Sequence, residues 1–405
     1  MSVSMKAWLI GLTAIAVVSD SMLIPFYPHF FESAFGVTDA GLVGLYIAAC
    51  CLTVMLAFPV WARVARHLSL LPLLIGTQLL AGVLSVLCYW TASLTQFWAI
   101  SLAMLVFKAS YLLIYPQIMR LEQADAHGRT IGLLSVIVHF GGIGGALLGG
   151  AVLQWFEPRQ VFLLMAVGDF LQTGICFLLQ RRETPAVSIG NAPEDTSTPA
   201  SGVSNTTVVL RLCLVMAVFY FSAFLVRPFF VRYWEALSGW NDAFYAGVIF
   251  AIPGAVALFA LWRSYRQPVA TEAHWQILPA MVYVTVGLLL QAVPSMPVVL
   301  VGRLLFGWGL FRATVRLDQL LFALSQPRDY ATDFSKVSFS QNLGVLVASW
   351  AAGAVVATTG LDVPFYLAAA GLVLSAGLFY GLLYRPQRQT GVASPSRSRL
   401  SRSDA

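Results

Sequence analysis

At a fixed spacing of 203 residues, without gaps, this chain resembles itself. Pro25-Phe26 returns as Pro228-Phe229, Thr38-Asp39-Ala40 as Asn241-Asp242-Ala243, Gly44 as Gly247 and Arg63 as Arg266. Toward the end of each half, Gly150-Ala151-Val152 returns as Gly353-Ala354-Val355. Phe162 and Phe365 follow, then Gly168 and Gly371. Matches at one offset across both ends of each half imply a duplicated unit. Whatever fold the first copy takes, the second takes too.

That unit is built for lipid. Hydrophobic residues make up 59% of the chain and charged residues 10%, with a mean hydropathy of +0.78, whereas a soluble domain carries roughly 25% charged residues. Twelve apolar runs of the length a ~30 Å bilayer core requires lie at 8–30, 39–61, 70–90, 96–119, 130–154, 161–180, 208–230, 242–262, 275–293, 298–323, 337–358 and 363–384. The expected fold is an all-α membrane protein with twelve transmembrane helices in two pseudo-symmetric six-helix bundles. The first run is too long for a cleaved signal and carries Asp20 midway, so it reads as a retained helix. Residues 1–180 and 208–384 form the two expected bundles. A Pro/Ser/Thr-rich stretch at 181–207 is the expected cytoplasmic linker, and 385–405 an unstructured tail. Two strongly apolar repeats are the plan of a transporter with its site between them.

The net charge of +6 is informative by position. With the first residues inside, the segments on that side hold 17 Lys and Arg and the opposite side two, Arg159 and Arg232. The positive-inside rule then places both termini in the cytoplasm of a bacterial-type inner membrane and removes any need for a nucleic-acid partner. All five cysteines fall inside apolar runs without metal-ligand spacing and read as small apolar fillers. Zinc-protease, nucleophile-elbow and phosphate-loop motifs are absent, so neither an enzyme nor a cofactor is expected. The expected partners are a small-molecule substrate, protons and the bilayer, and the expected state is a monomer.

The fifth run contains Gly132, then eight residues, Gly141, three residues, Gly145-Ala146, two residues, and Gly149-Gly150. Small residues four apart form a stripe on which another backbone can lie closely. This spacing resembles the antiporter motif of the major facilitator superfamily, with Ala146 in place of its proline, and the likeness is to the twelve-helix drug:proton antiporter branch. The resemblance implies that this stripe meets the other half and seals one side of the membrane. The family's loop after the second helix matches less well: Arg63 stands where an acid is usual. In the tenth run, Gly302-Arg303-Leu-Leu-Phe-Gly307-Trp-Gly309 resembles the fourth-helix pattern.

Eight charged residues lie within apolar runs: Asp20, Lys108, Asp169, Arg227, Arg303, Arg312, Arg316 and Asp318. At ~2.5–3.5 kcal/mol each they must pair, meet water or reach an interface. Arg227, Arg303, Arg316 and Asp318 stand near run ends, from which a long side chain can snorkel. Asp20, Lys108 and Arg312 lie deep. The resemblance places the first, fourth, seventh and tenth helices around a central cavity, so these three charges are expected to face one another across it. Asp20 is then the expected proton carrier, with Lys108 as its partner; the alternative is a static Asp20–Lys108 ion pair. Asp169 and His139 read as hydrogen-bonded packing residues.

Asp20, Lys108, Arg227, Arg312 and Arg316 are the candidate substrate contacts. Guanidinium forks suit carboxylate or phosphate, which points to a small amphipathic organic anion, siderophore- or drug-like. Aromatics at the outer ends, Phe26, Tyr27, Phe229, Phe230, Tyr233 and Trp234, read as an interfacial belt. The functional expectation is proton-coupled export by alternating access. Import of an organic anion or siderophore, and a non-transporting sensor or assembly factor, are the alternatives.

Overall fold

The computed structural model describes residues 3–120, 127–182, 206–265, 276–325 and 330–384. The expected linker and tail fall outside these residues, apart from Arg181, Arg182, Thr206 and Thr207, which are helical. The first half comprises α1 (Val3–Ser21), α2 (Tyr27–Phe35), α3 (Ala40–Val64), α4 (Leu70–Trp90), α5 (Leu94–Lys108), a 3₁₀ turn (Ala109–Leu113), α6 (Ile114–Arg120), α7 (His127–Trp155) and α8 (Gln160–Arg182). The second comprises α9 (Thr206–Leu225), α10 (Phe230–Ser238), α11 (Ala243–Tyr265), α12 (Ile277–Gln291), α13 (Met296–Leu324), α14 (Tyr330–Thr359) and α15 (Val363–Phe379), which ends in a π turn (Tyr380–Tyr384).

Among the described residues no strand occurs, and ten helices are long and apolar enough to cross a membrane. Length and apolarity alone account for ten of the twelve expected spans among the described residues. The first and ninth expected spans correspond to α1, which carries Lys6 and Asp20, and to the 15-residue α12. The surface is inside-out relative to a soluble protein. Leu56, Phe140 and Val373 are more than half exposed, while Lys108, Asp169 and Arg303 are buried. Only an apolar surrounding makes such a surface favourable.

The repeat is visible in the backbone. Pro25 and Pro228 cannot donate a backbone hydrogen bond and disfavour helix in the residue before them. Accordingly the first and seventh expected spans are broken at the same place, between α1 and α2 and between α9 and α10. Each short helix then stops on a left-handed glycine, Gly36 (φ 67°) and Gly239 (φ 69°), a conformation glycine adopts without a steric penalty. Asp39 Oδ1 accepts the Gly41 N–H at 2.8 Å and Asp242 Oδ1 the Tyr245 N–H at 3.0 Å, capping α3 and α11. The expected aromatic belt is instead core: Phe26, Phe229, Phe230, Tyr233 and Trp234 are all buried. In the first half Phe30, Phe31, Tyr46, Phe97 and Phe162 close into one cluster of edge-to-face and tilted ring contacts.

Between the halves the packing runs along α3–α14 and α7–α11. Its closest approaches lie toward the end of the molecule that carries α2 and α10. A Cβ on Gly44 would fall 2.7 Å from Gly353 Cα, and one on Gly150 would fall 2.7 Å from the Ala243 carbonyl. A Cβ on Gly247 would fall 2.7 Å from the Ala146 carbonyl. Adding 203 to Gly44 gives Gly247, and to Gly150 gives Gly353, so the two sides of the seam are one contact repeated about a pseudo-twofold axis. Gly44→Ala and Gly247→Ala are each expected to destabilise the protein by about 1–3 kcal/mol through overpacking. Gly76→Ala, whose Cβ would meet open space, should be neutral. Thermal unfolding of the three variants in detergent checks this, and equal melting temperatures would count against the seam.

Candidate functional site

Asp20 is the second-last residue of α1, just before the Pro25 break, and its position is set by α7. A Cβ on Gly141 would fall 2.8 Å from Val17 Cγ1, and one on Gly145 would fall 2.6 Å from Ser21 Cβ. One on Gly149 would collide with the Met22 carbonyl. The stripe Gly141, Gly145, Gly149 thus packs on the end of α1 within its own half, which corrects the expectation that it meets the other half. One residue on, and about 100° round the helix, Ala146 and Gly150 make that contact with α11. Gly132 lies earlier in the same helix. Arg63 is exposed in the last turn of α3, where a cation complements the helix dipole.

Three helices bring charges to Asp20. Lys108, the last residue of α5, places Nζ 3.2 Å from Asp20 Oδ1 and 2.7 Å from Asp169 Oδ1 of α8. The other Asp169 oxygen accepts from Ser85 Oγ of α4 at 3.0 Å. Asp169 is 0% exposed and Lys108 3%, whereas Asp20 is 25% exposed. Sequence reasoning paired Asp20 with Lys108 but missed that Asp169 is the closer partner; the signal available was an acid inside an apolar run. One ammonium stands between two carboxylates, so the cluster carries an excess negative charge when all three are ionised. Only Asp20 is open to exchange with its surroundings. Tyr27 and Tyr111 lie within electrostatic reach of it.

This cluster breaks the repeat. At +203, Asp20, Ser85, Lys108 and Asp169 become Ala223, Leu288, Phe311 and Leu372, all buried. The second half carries its own charges elsewhere. Arg303 does not snorkel: it is 4% exposed, lies 3.9 Å over the Phe230 ring, and donates to the carbonyls of Ile249 (3.3 Å) and Phe250. Arg227, in the break between α9 and α10, lies over the rings of Phe224 (5.0 Å) and Phe250 (5.7 Å) and within electrostatic reach of Cys51 on α3 of the other half.

Arg312 does not face Lys108 and Asp20. It is exposed, 5.5 Å over Trp308. Nine residues from Arg303 it points about half a turn away, on the face opposite the one that packs inward. The repeat partner of Lys108 is Phe311, and a slip of one residue rotates a helical side chain by about 100°. Arg316 bonds Gln319 and Gln276, both at 3.1 Å. Asp318, read from sequence as a boundary residue, has Gln341 of α14 beside it and lies within electrostatic reach of Tyr220 on α9 and Tyr115 on α6. His139 places its ring edge-on to Phe311 across the seam, with centroids 6.5 Å apart.

A sequence profile of the Major Facilitator Superfamily matches residues 9–271. The chain belongs to that superfamily. It is similar to the multi-drug resistance efflux pump PmrA of Streptococcus pneumoniae, at 26% identity over 86% of this chain and 88% of that protein. Similarity to the PmrA homolog of Lactococcus lactis is 23%, over 81% and 82% of the two chains. The fold is also that of a bacterial homolog of the human lysosomal transporter Spinster in its inward-facing, occupied conformation, with TM-score 0.71 and 15% identity over 97% and 98% of the chains. This superfamily member is a multi-pass membrane transporter of small molecules and not an enzyme.

Two substitutions separate the members of the charged cluster. Asp169→Asn removes the buried partner of Lys108 and is expected to cost about 3–5 kcal/mol. Asp20→Asn leaves the shorter Lys108–Asp169 pair in place and should cost about 1 kcal/mol or less. Thermal unfolding in detergent gives both values; equal losses would mean that the two carboxylates are interchangeable supports.

Proposed function

We propose that this chain is a proton-coupled exporter of small amphipathic organic compounds that carry an anionic group, working by alternating access in a bacterial inner membrane. The observation that carries this reading is the cluster of one ammonium and two carboxylates, of which only Asp20 is exposed. A second positive charge completes it, and a proton on Asp20 is the smallest one available. Lys108 then changes its allegiance with the protonation state: bound to both acids when Asp20 is ionised, and to Asp169 alone when Asp20 is neutral. Because Asp20 lies at the end of α1, against the glycine stripe of α7, a change in its pairing acts on the helix that also forms the seam.

The rest of the molecule supports this assignment. The bundles 1–180 and 208–384 move against each other with 181–207 as the connector, and the closed seam at the α2–α10 end corresponds to the outer side when both termini are cytoplasmic. Arg227 supplies a guanidinium for a carboxylate or phosphate on the cargo. The efflux pumps named among the relatives support outward transport, and a carboxylate siderophore or a drug of similar shape meets the description. The working unit is one chain.

Reconstituted vesicles with an imposed pH gradient and a panel of fluorescent organic anions test the assignment. Asp20→Asn should lower gradient-driven accumulation more than ~10-fold, the loss expected when a group indispensable to coupling is removed. Exchange of substrate at equal pH should continue. Gradient-driven transport equal to that of the unaltered protein would remove Asp20 from the coupling step.

A further inference from the structure

We infer that the cargo site is dipolar, and that it takes zwitterions whose two charges stand about 10 Å apart across an aromatic body. This rests on the transporter reading above and refines its substrate class. Tyr220 and Phe224 occupy one stripe of α9, which Arg227 continues from the break that follows. The first two rings are stacked at 5.8 Å and 14°, and the Arg227 guanidinium covers the Phe224 ring at 5.0 Å. At 1.5 Å rise per residue the stripe is about 10 Å long.

Its Tyr220 end is negative. Tyr220 lies beside Thr314 and within electrostatic reach of Asp318, both on α13. Among the described residues Asp318 has no Lys or Arg partner; its polar neighbour is the neutral Gln341. Its other end, Arg227, has no carboxylate partner among the described residues either. Both ends face the first half, Arg227 toward Cys51 and Asp318 toward Tyr115. Tyr115 is also the repeat partner of Asp318 (115 + 203 = 318). A residue that meets its own counterpart lies close to the pseudo-twofold axis, which in a two-bundle transporter runs through the chamber between the bundles. Two unneutralised charges of opposite sign at the ends of an aromatic stripe are complementary to a ligand with an ammonium at one end and a carboxylate at the other.

Binding to purified protein tests this without relying on transport. The probes are 4′-(aminomethyl)biphenyl-4-carboxylate, its methyl ester, which keeps only the ammonium, and its N-acetyl derivative, which keeps only the carboxylate. The zwitterion should bind about ten-fold more tightly than either derivative, the value of one charge-assisted hydrogen bond. Asp318→Asn should reduce the zwitterion to the affinity of the N-acetyl compound, and Arg227→Gln to that of the ester. Equal binding of all three probes to the unaltered protein, or an unchanged ratio in Asp318→Asn, would overturn the inference. Because the probes compare ligands on one protein, a variant that does not fold leaves the first comparison decisive. Loss of proton coupling with the ratio intact would indict the coupling assignment and not this site.

A separate feature carries a second inference: we propose that the α2–α10 end is held by a proton-sensitive latch. Glu32 of α2 pairs with Arg232 of α10, and His29 Nε2 of α2 lies 2.9 Å from Glu235 Oε2 of α10. Adding 203 turns His29 into Arg232 and Glu32 into Glu235, so the two pairs are a single ion pair repeated about the axis. One copy has a permanent cation; the other has histidine, which ordinarily changes charge near neutral pH. The His29–Glu235 pair is the more buried of the two, where charge matters more. The other charged or titratable groups at this end are Tyr27, Asp39, Glu157, Arg159, Tyr233, Asp242, Tyr245, Asp362 and Tyr366. These are carboxylates, guanidiniums and phenols, types that ordinarily titrate outside pH 5.5–8.

Protonated His29 completes the second pair and closes this end; neutral His29 releases it. Spin labels at the repeat partners Thr38 and Asn241, both exposed, report the opening. From pH 5.5 to 8 the closed population should fall about three- to ten-fold in the parent protein. His29→Arg, which makes the two pairs alike, should remain closed at both values, and His29→Gln should lose the pH dependence. Hydrogen exchange of α2 and α10 in the unlabelled protein should follow the same pattern. A parent protein insensitive to pH, or one whose response survives in His29→Gln, would refute the latch.

Discussion

Two backbones can lie closer than a side chain allows only where neither has one, and α7 uses this on two neighbouring faces. Gly141, Gly145 and Gly149 hold the end of α1, where Asp20 meets Lys108; Ala146 and Gly150 hold α11 of the other half. The charged cluster and the joint between the halves are therefore attached to one rigid element. A shift of α1 relative to α7 cannot occur without disturbing the seam, because the packing has no slack into which a side chain could rotate.

The repeat organises support and not chemistry. The seam glycines, the proline breaks, the left-handed stops after α2 and α10 and the paired caps all recur at +203. So does the close approach of a serine hydroxyl to a glycine, Ser19 with Gly168 and Ser222 with Gly371. The charges buried within the spans do not recur. The Lys108 cluster belongs to the first half, and Arg227, Arg303 and Asp318 to the second. A symmetric frame whose two halves carry different charges presents unlike walls to its centre.

Sequence reasoning succeeded where a residue type has one physical use and failed where direction mattered. Asp20 and Lys108 stood out because a charge deep in an apolar run has to be paired, and the structure pairs them. Arg312 met the same criterion, yet it lies half a turn from the inward face of α13, because depth along a helix says nothing of rotation about it. The glycine stripe was legible as a close-packing surface, but which helix it receives depends on an angle of about 100° between neighbouring positions. Asp318 looked like a boundary residue because distance from a run's end was the only measure available; its contacts with Tyr220, Gln341 and Tyr115 come from three other helices.

The amino-acid sequence alone determined that the chain is helical and lipid-embedded and that it is duplicated, with a proline at the same place in both copies. Apolar run length and proline chemistry act locally, and they do so in any fold. Only the tertiary structure decided which charges are partners. A buried ion pair needs side chains from separate helices aimed at one point, and neither the rotation of a helix nor its neighbours is written in the residues that form it. Asp169 beside Lys108, carbonyl-bound Arg303 and the crossed pairs joining α2 to α10 are all products of that aim.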